Sequence, residues 1–193
     1  MSAPWPEAAT IDEETLEEQI ATMGRQLPAR PLVLGGCCCS HVGAVRGLAR
    51  DGRIGIVWLD AHGDLNTPES SPSGNAWGMP LRMLIDGGDV AAEDVTLIGA
   101  RNLDPPEVEF IAEAEIATSL GPLPDRIYVA VDADVADPGE LDMWMPEPDG
   151  LSLEALEGLL ASLPLPAGAG LTGFLPSARN EAALARLGHA LGL

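Results

Sequence analysis

The sequence places five side chains that can bind a metal ion directly after two apolar, strand-like segments. The first segment is followed by Asp60, His62 and Asp64, and the second by Asp132 and Asp134. Because alternate residues of an extended segment point the same way, we expect each set to converge. Two carboxylates about 4 Å apart repel by roughly 4 kcal/mol at an effective dielectric constant of about 20. Such a cluster must take up protons or bind a cation.

Carboxylate oxygens with one imidazole suit Mn²⁺ or Mg²⁺, and they also bind Zn²⁺ or Fe²⁺. Carboxylates shared between two ions, about 3.5–4 Å apart, would activate a bridging water for hydrolysis. The alternative is that these Asp residues are helix caps and turn residues, which are common at strand ends. The presence of both sets, each after an apolar strand, favours the metal site.

The charge balance of the chain narrows the classes of function. It carries 30 acidic and 10 basic residues, for a formal net charge of -20, and every basic residue is Arg. Without Lys there is no Schiff-base nucleophile and no phosphate-loop lysine. The acidity also argues against nucleic acid or an anionic membrane as a partner. We attribute most of it to solubility and part of it to carboxylates gathered around a cation.

Length and composition predict a single folded domain over residues 1–193, with 46% apolar content. No apolar run reaches the roughly 20 residues of a membrane span, and the acidic N-terminal segment lacks a signal-peptide pattern. The three cysteines, Cys37, Cys38 and Cys39, are consecutive, so they provide no disulfide framework. Together these features predict a cytoplasmic protein in a reducing compartment.

Strand-like and helix-like segments alternate along the chain. The predicted strands cover residues 31–34, 54–59, 95–98, 126–131 and 171–175. The predicted helices cover residues 10–27, 40–50, 80–85, 105–114, 152–163 and 178–191. Thr10 and Glu13 are predicted to form a capping box, and Ser152 is a predicted helix cap. The Pro- and Gly-rich residues 163–170 are predicted to form a flexible connection. This order predicts a parallel sheet with helices on both faces, which binds ligands beyond the carboxyl ends of its strands.

Longer motifs around these side chains resemble those of the ureohydrolase family of arginases, agmatinases and formimidoylglutamases. Residues 60–80 match its signature with Asp-Ala-His-Gly-Asp-Leu-Asn-Thr-Pro-Glu-Ser-Ser-Pro-Ser-Gly-Asn-Ala-Trp-Gly-Met-Pro. Further matches are residues 131–138, the Pro-Glu-Pro-Asp-Gly that ends at Gly150, and Gly35-Gly36. The resemblance covers roughly residues 32–175. It implies an arginase-like, three-layer α/β/α sandwich with a mainly parallel sheet, lacking the family's first strand–helix unit.

The resemblance also implies a cluster of two Mn²⁺ ions per chain that hydrolyses guanidino or amidino C–N bonds. Carried over by motif, Asp60 and Asp132 would bridge the two ions. Asp64 would complete one metal site, and His62 and Asp134 would complete the other.

The same motifs imply how a substrate would be held and attacked. Asn66, Ser73 and Asn75 match positions that contact substrate in the family. Asp64 has the catalytic role, because it would orient the metal-bridging hydroxide that attacks an sp² carbon. Arg101, which follows a strand, is either a ligand for a substrate carboxylate or a surface residue.

Departures from the family pattern bear on this chemistry. Cys38 stands where the family has a metal-binding His, and a thiolate favours softer ions, so Zn²⁺ or Fe²⁺ becomes an alternative to Mn²⁺. The other interpretations are a small buried cysteine cluster and ligation by His41, which is otherwise a cap or surface residue. Trp77 replaces the His that transfers protons, and indole can only donate a hydrogen bond. Leu175 falls where the family has a Glu that holds the guanidinium.

These departures argue against a true arginase. We predict a divergent metal-dependent hydrolase in which a metal-bridging hydroxide attacks a C–N bond of a guanidino- or amidino-type small molecule. The alternative is a non-catalytic arginase-like module, with or without metal, that binds a ligand or a partner. From the resemblance we also expect a homo-oligomer, with Trp144 in the core or at an interface.

Overall fold

The structure, a computed structural model, describes Trp5 and residues 9–192. Its centre is a sheet of five parallel strands in the order β1-β5-β4-β2-β3. The strands are β1 (Leu32–Leu34), β2 (Gly55–Leu59), β3 (Val95–Ile98), β4 (Ile127–Asp132) and β5 (Gly168–Thr172). The helices are α1 (Leu16–Gln26), α2 (Cys39–Ala49), α3 (Pro80–Asp86), α4 (Pro105–Glu113), α5 (Leu153–Ser162) and α6 (Ala178–Ala190).

Both faces of the sheet are apolar and covered by helices. Val57 and Val129 point to one face, where they belong to the same buried cluster as the leucines of α5 and α6. Ile56 and Tyr128 point to the other face, which is packed by α2 and α3 with α1 and α4 at its margins. Successive residues of a strand face opposite sides, so the continuous apolar runs of β2 and β4 contribute to two cores. The predicted three-layer α/β/α sandwich is confirmed.

Strand register brings the two sets of candidate ligands to one edge. Leu59 at the end of β2 pairs with Val131 of β4, and Asp132 pairs with Thr172 at the end of β5. Because all strands are parallel, the residues that follow β2, β4 and β5 leave the sheet at the same edge.

The first helix begins later than the sequence pattern predicts. The N-cap of α1 is Thr15, whose hydroxyl accepts a hydrogen bond from the backbone N–H of Glu18 at 3.2 Å. The pattern Thr-x-x-Glu occurs twice here, at residues 10–13 and 15–18, and the prediction chose the wrong one. Glu13 instead accepts a hydrogen bond from Thr22 at 2.7 Å. The capping box at Thr10 and Glu13 is therefore wrong.

The last strand also lies earlier than predicted, over Gly168–Thr172 rather than 171–175. Residues 163–170, predicted as a flexible connection, contain most of this strand. Their glycines have a packing reason, because a Cβ on Gly170 would lie 2.5 Å from Nδ1 of the His41 ring. Small residues in a strand often mark such a close approach of another group.

The remaining predicted elements agree with the structure to within one or two residues at their ends. Among the described residues, no helix has both the length and the apolarity that a membrane crossing would need.

The capping box of α1 gives a first prediction. Thr15→Ala removes the oxygen that receives the Glu18 N–H, so we expect the free energy of unfolding to fall by about 1 kcal/mol. Thr15→Ser keeps the oxygen and should retain most of the stability. Urea unfolding of the three proteins measures both values, and equal losses in the two variants would contradict the assignment of Thr15 as the cap.

Candidate metal centre

A cavity of about 640 Å³ opens at the carboxyl edge of the sheet. Its deepest side chains are acidic and mostly buried, whereas Trp77, Trp144 and Met145 stand at its mouth with 53%, 70% and 54% of their surface exposed. All six side chains predicted to bind metal line it: Cys38, Asp60, His62, Asp64, Asp132 and Asp134.

Two groups of side chains have the spacing of metal ligands. One ligand atom from each of Cys38, Asp60 and Asp64 lies within 4.8 Å of the others, and the same holds for Asp60, His62 and Asp134. Asp60 belongs to both groups, as a carboxylate shared between two ions would. Asp132 lies beside the first group, with Oδ2 3.0 Å from Sγ of Cys38. The fold thus brings all six together, and their binding of metal stays a prediction.

His62 supplies positive charge to this cluster. Its Nδ1 lies 3.0 Å from Oδ2 of Asp134 and 3.4 Å from Oδ1 of Asp60. Hydrogen bonds to Asp134 and then to Asp60 raise the pKa of His62 to about 11. In the absence of a metal ion, the imidazolium therefore partly neutralises the carboxylates.

The positive charge of His62 does not neutralise all of the negative charge of the carboxylates. Burial, with the charges of Asp132 and Asp134, raises the pKa of Asp60 to about 7. Burial, followed by the charges of Asp60 and Asp132, raises the pKa of Asp64 well above its usual value. Oδ2 of Asp64 is buried without a hydrogen-bond partner in the described part of the chain. A divalent cation would meet that need, so the residues present fit a metal ion.

No arginine side chain supplies the missing charge. All ten donate hydrogen bonds to other protein groups, and none is among the described residues that line the cavity. The cavity is lined by acidic side chains. Among the described residues, its one cationic lining side chain is His62.

The Asp64 backbone is held in an unusual conformation. Its φ is +53°, in the left-handed region that Asp tolerates better than most residues. Its carbonyl accepts a hydrogen bond from the backbone N–H of Arg82 at 3.0 Å, which ties the loop to α3. Non-glycine residues in this region concentrate at functional sites.

Cys38 is buried at the N-cap of α2 and faces the carboxylates. Its Sγ is 3.0 Å from Oδ2 of Asp132, 3.5 Å from Oδ2 of Asp60 and 3.2 Å from Oγ1 of Thr172. Burial, and then the charge of Asp132, raises the pKa of this thiol. Without metal, the protonated thiol therefore donates to the carboxylates; a metal ion would have to displace that proton.

His41 occupies a place that neither sequence interpretation foresaw. It is fully buried, so a surface role is wrong, and the N-cap of α2 is Cys38. Its Nδ1 lies 3.1 Å from the hydroxyl of Tyr128 and its Nε2 3.2 Å from that of Thr172. Both ring nitrogens thus face hydroxyls beneath the cluster instead of the carboxylates.

The three predicted substrate contacts differ in position. Asn66 is buried and lines the cavity, but its amide donates to Asp104 at 2.8 Å and accepts from Ser70 at 2.9 Å. Ser73 is exposed and also lines the cavity. Asn75 is half-buried and is not among the lining residues; its backbone N–H donates to Oγ of Ser73 at 3.2 Å. Two of the three predicted positions therefore reach the cavity.

Arg101 is neither a free surface residue nor available to a substrate carboxylate. Its guanidinium donates to the backbone carbonyls of Gly99, Asp134, Glu147 and Pro148 at 2.7–3.0 Å. It therefore pins the segment around Glu147 against the strand ends. Glu147 in turn places Oε1 3.7 Å from Nε2 of His62.

Glu107 is a site residue that the sequence analysis missed. Its buried carboxylate accepts the backbone N–H groups of Leu65 and Asp104, each at 2.9 Å. It thereby holds the loop that carries Asp64. The signal was available, because Asp104-Pro-Pro-Glu107, in the segment between β3 and α4, is a capping-box pattern.

Leu175 lies outside the cavity lining, and its backbone N–H donates to the carbonyl of Asp142 at 2.9 Å. The residue of this segment that lines the cavity is Gly173. Residues 172–175, Thr-Gly-Phe-Leu, contain no carboxylate, so the segment cannot hold a guanidinium by charge.

Trp144 is mostly exposed at the mouth of the cavity, so a place in the core is excluded; an interface role stays a prediction. Its neighbour Met143 is buried.

A parallel α/β sandwich with a carboxylate–histidine centre at the carboxyl edge of its sheet defines the class of this protein. The sequence model of the arginase family matches residues 6–185, beyond both ends of the stretch that the motifs suggested. The chain belongs to the arginase family.

Curated arginases resemble part of the chain. The arginase of Staphylococcus aureus (strain COL) is 44% identical over 99 residues, which cover 46% of this chain and 33% of that protein. The arginase of Bacillus caldovelox is 42% identical over 112 residues, or 51% of this chain and 36% of that protein. The chain thus covers about a third of the length of these relatives.

Solved structures share the fold over most of the chain. Arginase from Bacillus cereus superposes with a TM-score of 0.82 at 26% identity, covering 91% of this chain and 77% of that one. Proclavaminate amidino hydrolase from Streptomyces clavuligerus gives 0.75 at 23% identity, covering 91% and 68%. The second likeness is one of fold alone.

Metal content tests the carboxylate cluster. Asp132→Ala removes a ligand that we predict to be shared by two ions, so we expect the variant to lose its bound metal. Asp137→Ala is the matched control, because Asp137 lies in the same motif but its side chain accepts a hydrogen bond only from the nearby Gly139 N–H among the described residues. Mass spectrometry of protein purified without chelators measures the result, and stoichiometric metal in Asp132→Ala would exclude the cluster as described.

Cobalt spectroscopy tests Cys38 as a ligand. Co²⁺ bound by a thiolate gives an intense near-ultraviolet charge-transfer band, which oxygen and nitrogen ligands do not give. We expect this band in the parent protein and its loss in Cys38→Ser, with Cys37→Ser as the control at the neighbouring position. A band that persists in Cys38→Ser would assign the thiolate to another cysteine.

Proposed function

We propose that this chain is a divergent metal-dependent hydrolase of the arginase family that cleaves a C–N bond in a guanidino- or amidino-type small molecule. The observation that carries the proposal is the convergence of six metal-type ligands in one cavity. One of them, Asp64, has a buried Oδ2 without a partner among the described residues. The matches to curated arginases support the same class of reaction.

We propose that two Mn²⁺ ions occupy the centre, with Zn²⁺ or Fe²⁺ as alternatives because of Cys38. Asp60 and Asp132 would be shared between them, Cys38 and Asp64 would serve one site, and His62 and Asp134 the other. Bound ions of this kind lower the pKa of water and polarise the bond to be broken.

The side chains of the protein have separate tasks in this scheme. Asp64 accepts a hydrogen bond from the attacking water and so orients it toward the substrate carbon. Arg101 holds the backbone carbonyl of Glu147, whose carboxylate lies 3.7 Å from Nε2 of His62. The charge of Glu147 would favour the ring orientation in which Nδ1 faces Asp60 and Asp134, the part that groups behind metal ligands commonly have. The exposed rings at the mouth, Trp77 and Trp144, offer apolar surface to the body of the substrate.

A true arginase activity is not part of this proposal. Trp77 stands where the family resemblance places a proton-transferring His, and an indole cannot accept a proton. Residues 172–175 lack the carboxylate that would hold a guanidinium. Proton transfer to the leaving group must therefore come from another group or from water.

A second candidate function is a binding module without catalysis. The exposed Trp77 at the mouth of the cavity favours it, because this side chain has replaced a catalytic group with a binding surface. In that case the centre would bind metal and a small ligand, and the ligand would leave unchanged.

Release of urea or ammonia from a panel of guanidino and amidino compounds, arginine included, tests the proposal. With metal-loaded protein we expect turnover of at least one compound and little or none of arginine. Asp64→Asn, assayed at matched metal content, should reduce kcat by at least about 100-fold, the usual contribution of a positioned acid–base group. Asp51→Asn, at an exposed acid outside the motifs and the cavity lining, is the control and should leave kcat unchanged.

Binding of panel members without product formation would favour the second candidate. Metal-loaded protein that hydrolyses arginine as its best substrate would contradict the exclusion of a true arginase.

A further inference from the structure

A line of hydrogen bonds beneath the candidate metal centre has no part in the proposed reaction. The hydroxyl of Tyr128 lies 3.1 Å from Nδ1 of His41, and Nε2 of His41 lies 3.2 Å from Oγ1 of Thr172. Oγ1 of Thr172 then lies 3.0 Å from Oδ2 of Asp132. Tyr128, His41 and Thr172 are fully buried and come from β4, α2 and β5. The line therefore joins the core of the protein to a predicted metal ligand.

The chemistry of the partners gives this line a direction. A carboxylate only accepts hydrogen bonds, so Thr172 donates to Asp132. The oxygen of Thr172 then accepts from Nε2–H of His41, and Nδ1 of the same ring accepts from the hydroxyl of Tyr128. Burial lowers the pKa of His41 to about 3, so the ring is neutral and carries a single N–H. Every donor in the line thus points toward Asp132.

The opposite tautomer would break the arrangement. With the proton on Nδ1, Nε2 would take the hydroxyl proton of Thr172, and Asp132 would lose this donor. The hydroxyl of Tyr128 would be left without an acceptor among the described residues. An alternative acceptor for Thr172, the carbonyl of Val131, is longer at 3.4 Å.

We infer that His41 is a positioning residue: acting through Thr172, it holds the Asp132 carboxylate in the orientation that binds metal, and Tyr128 selects the tautomer that does so. The inference rests on the proposed role of Asp132 as a metal ligand. It also explains why a histidine three residues beyond Cys38 lies beneath the cluster without joining it.

The packing around the ring supports this assignment independently. A Cβ on Gly170 would collide with the Tyr128 hydroxyl and with His41, so β5 leaves room for this pair. The indole of Trp58 packs edge-on against the His41 ring, with centroids 5.0 Å apart. The same indole donates through Nε1 to Oδ2 of Asp60 at 3.2 Å. One buried aromatic group thus supports both carboxylates that we propose to be shared between ions.

Nitrogen NMR tests the direction of the line. The chain has three histidines, so two-bond ¹H–¹⁵N spectra near neutral pH separate their rings. We expect His41 to be the Nε2–H tautomer, both metal-free and loaded with diamagnetic Zn²⁺. Thr172→Val removes the acceptor of that N–H, so a mixture of both tautomers should appear. A pure Nδ1–H tautomer in the parent protein would overturn the inference.

Metal affinity tests the consequence for Asp132. His41→Leu removes the donor to Thr172 and should weaken Mn²⁺ and Zn²⁺ binding by about 10–100-fold in calorimetric titrations. His41→Gln can still donate near the place of Nε2 and should restore most of the affinity. Tyr128→Phe keeps the ring volume of the core, so it tests the same line of hydrogen bonds if His41→Leu does not fold. It should weaken metal binding several-fold. His189→Leu, at an exposed position of α6, is the matched control and should have no effect.

The outcomes separate this inference from the proposed function. Unchanged affinity in both His41→Leu and Tyr128→Phe would overturn the inference and leave the hydrolase proposal intact. The expected loss of affinity, together with no turnover of any compound, would overturn the hydrolase proposal alone. A parent protein that binds neither ion would overturn both.

Discussion

Mutual repulsion among four clustered carboxylates is the constraint on which the rest of this site depends. Three of them, Asp60, Asp64 and Asp134, are buried, so solvent screens little of the repulsion. Backbone N–H groups relieve part of it: that of Ala61 donates to Asp134 at 3.0 Å, and that of His62 to Asp60 at 2.8 Å. The imidazolium of His62 relieves more, and the unpartnered oxygen of Asp64 leaves a need that a divalent cation can meet.

Two side chains of opposite charge hold the loops that carry the candidate metal ligands. Each of them forms hydrogen bonds to backbone groups. Arg101 binds four carbonyls around the Asp134 and Glu147 segments, and Glu107 binds two N–H groups at Leu65 and Asp104. Each of the two side chains satisfies backbone groups, most of them at least partly buried, that a loop would otherwise leave unpaired. Both side chains set the positions of the ligands; Arg101 does so from outside the cavity lining, whereas Glu107 is itself part of the lining.

The site as a whole therefore has three levels with separate tasks. Beneath the carboxylates, the rings of Trp58, His41 and Tyr128 pack together in the core. Their polar atoms hydrogen-bond to predicted metal ligands, either directly, as Trp58 does to Asp60, or through Thr172. The middle level holds the carboxylates, His62 and Cys38. At the mouth, Trp77 and Trp144 expose apolar surface to solvent. The middle level carries one departure from the family pattern, Cys38, and the mouth carries another, Trp77.

Local pattern was enough to predict the sheet, its covering helices and the convergence of five candidate ligands, whereas Cys38 was predicted from the resemblance to the family. Strand periodicity and a common exit edge follow from β-geometry, so ligands spaced two apart after Leu59 and Val131 had to meet. Local pattern gave the wrong start of α1, because Thr10 and Thr15 begin the same capping pattern. It also misplaced β5, because the glycines there allow close packing and do not form a turn. The burial of His41 and the carbonyl partners of Arg101 were decided only in the tertiary structure. His41 depends on Tyr128 and Thr172, and Arg101 depends on the segment around Glu147. These partners lie far away in the chain, and no local spacing encodes contacts of that kind.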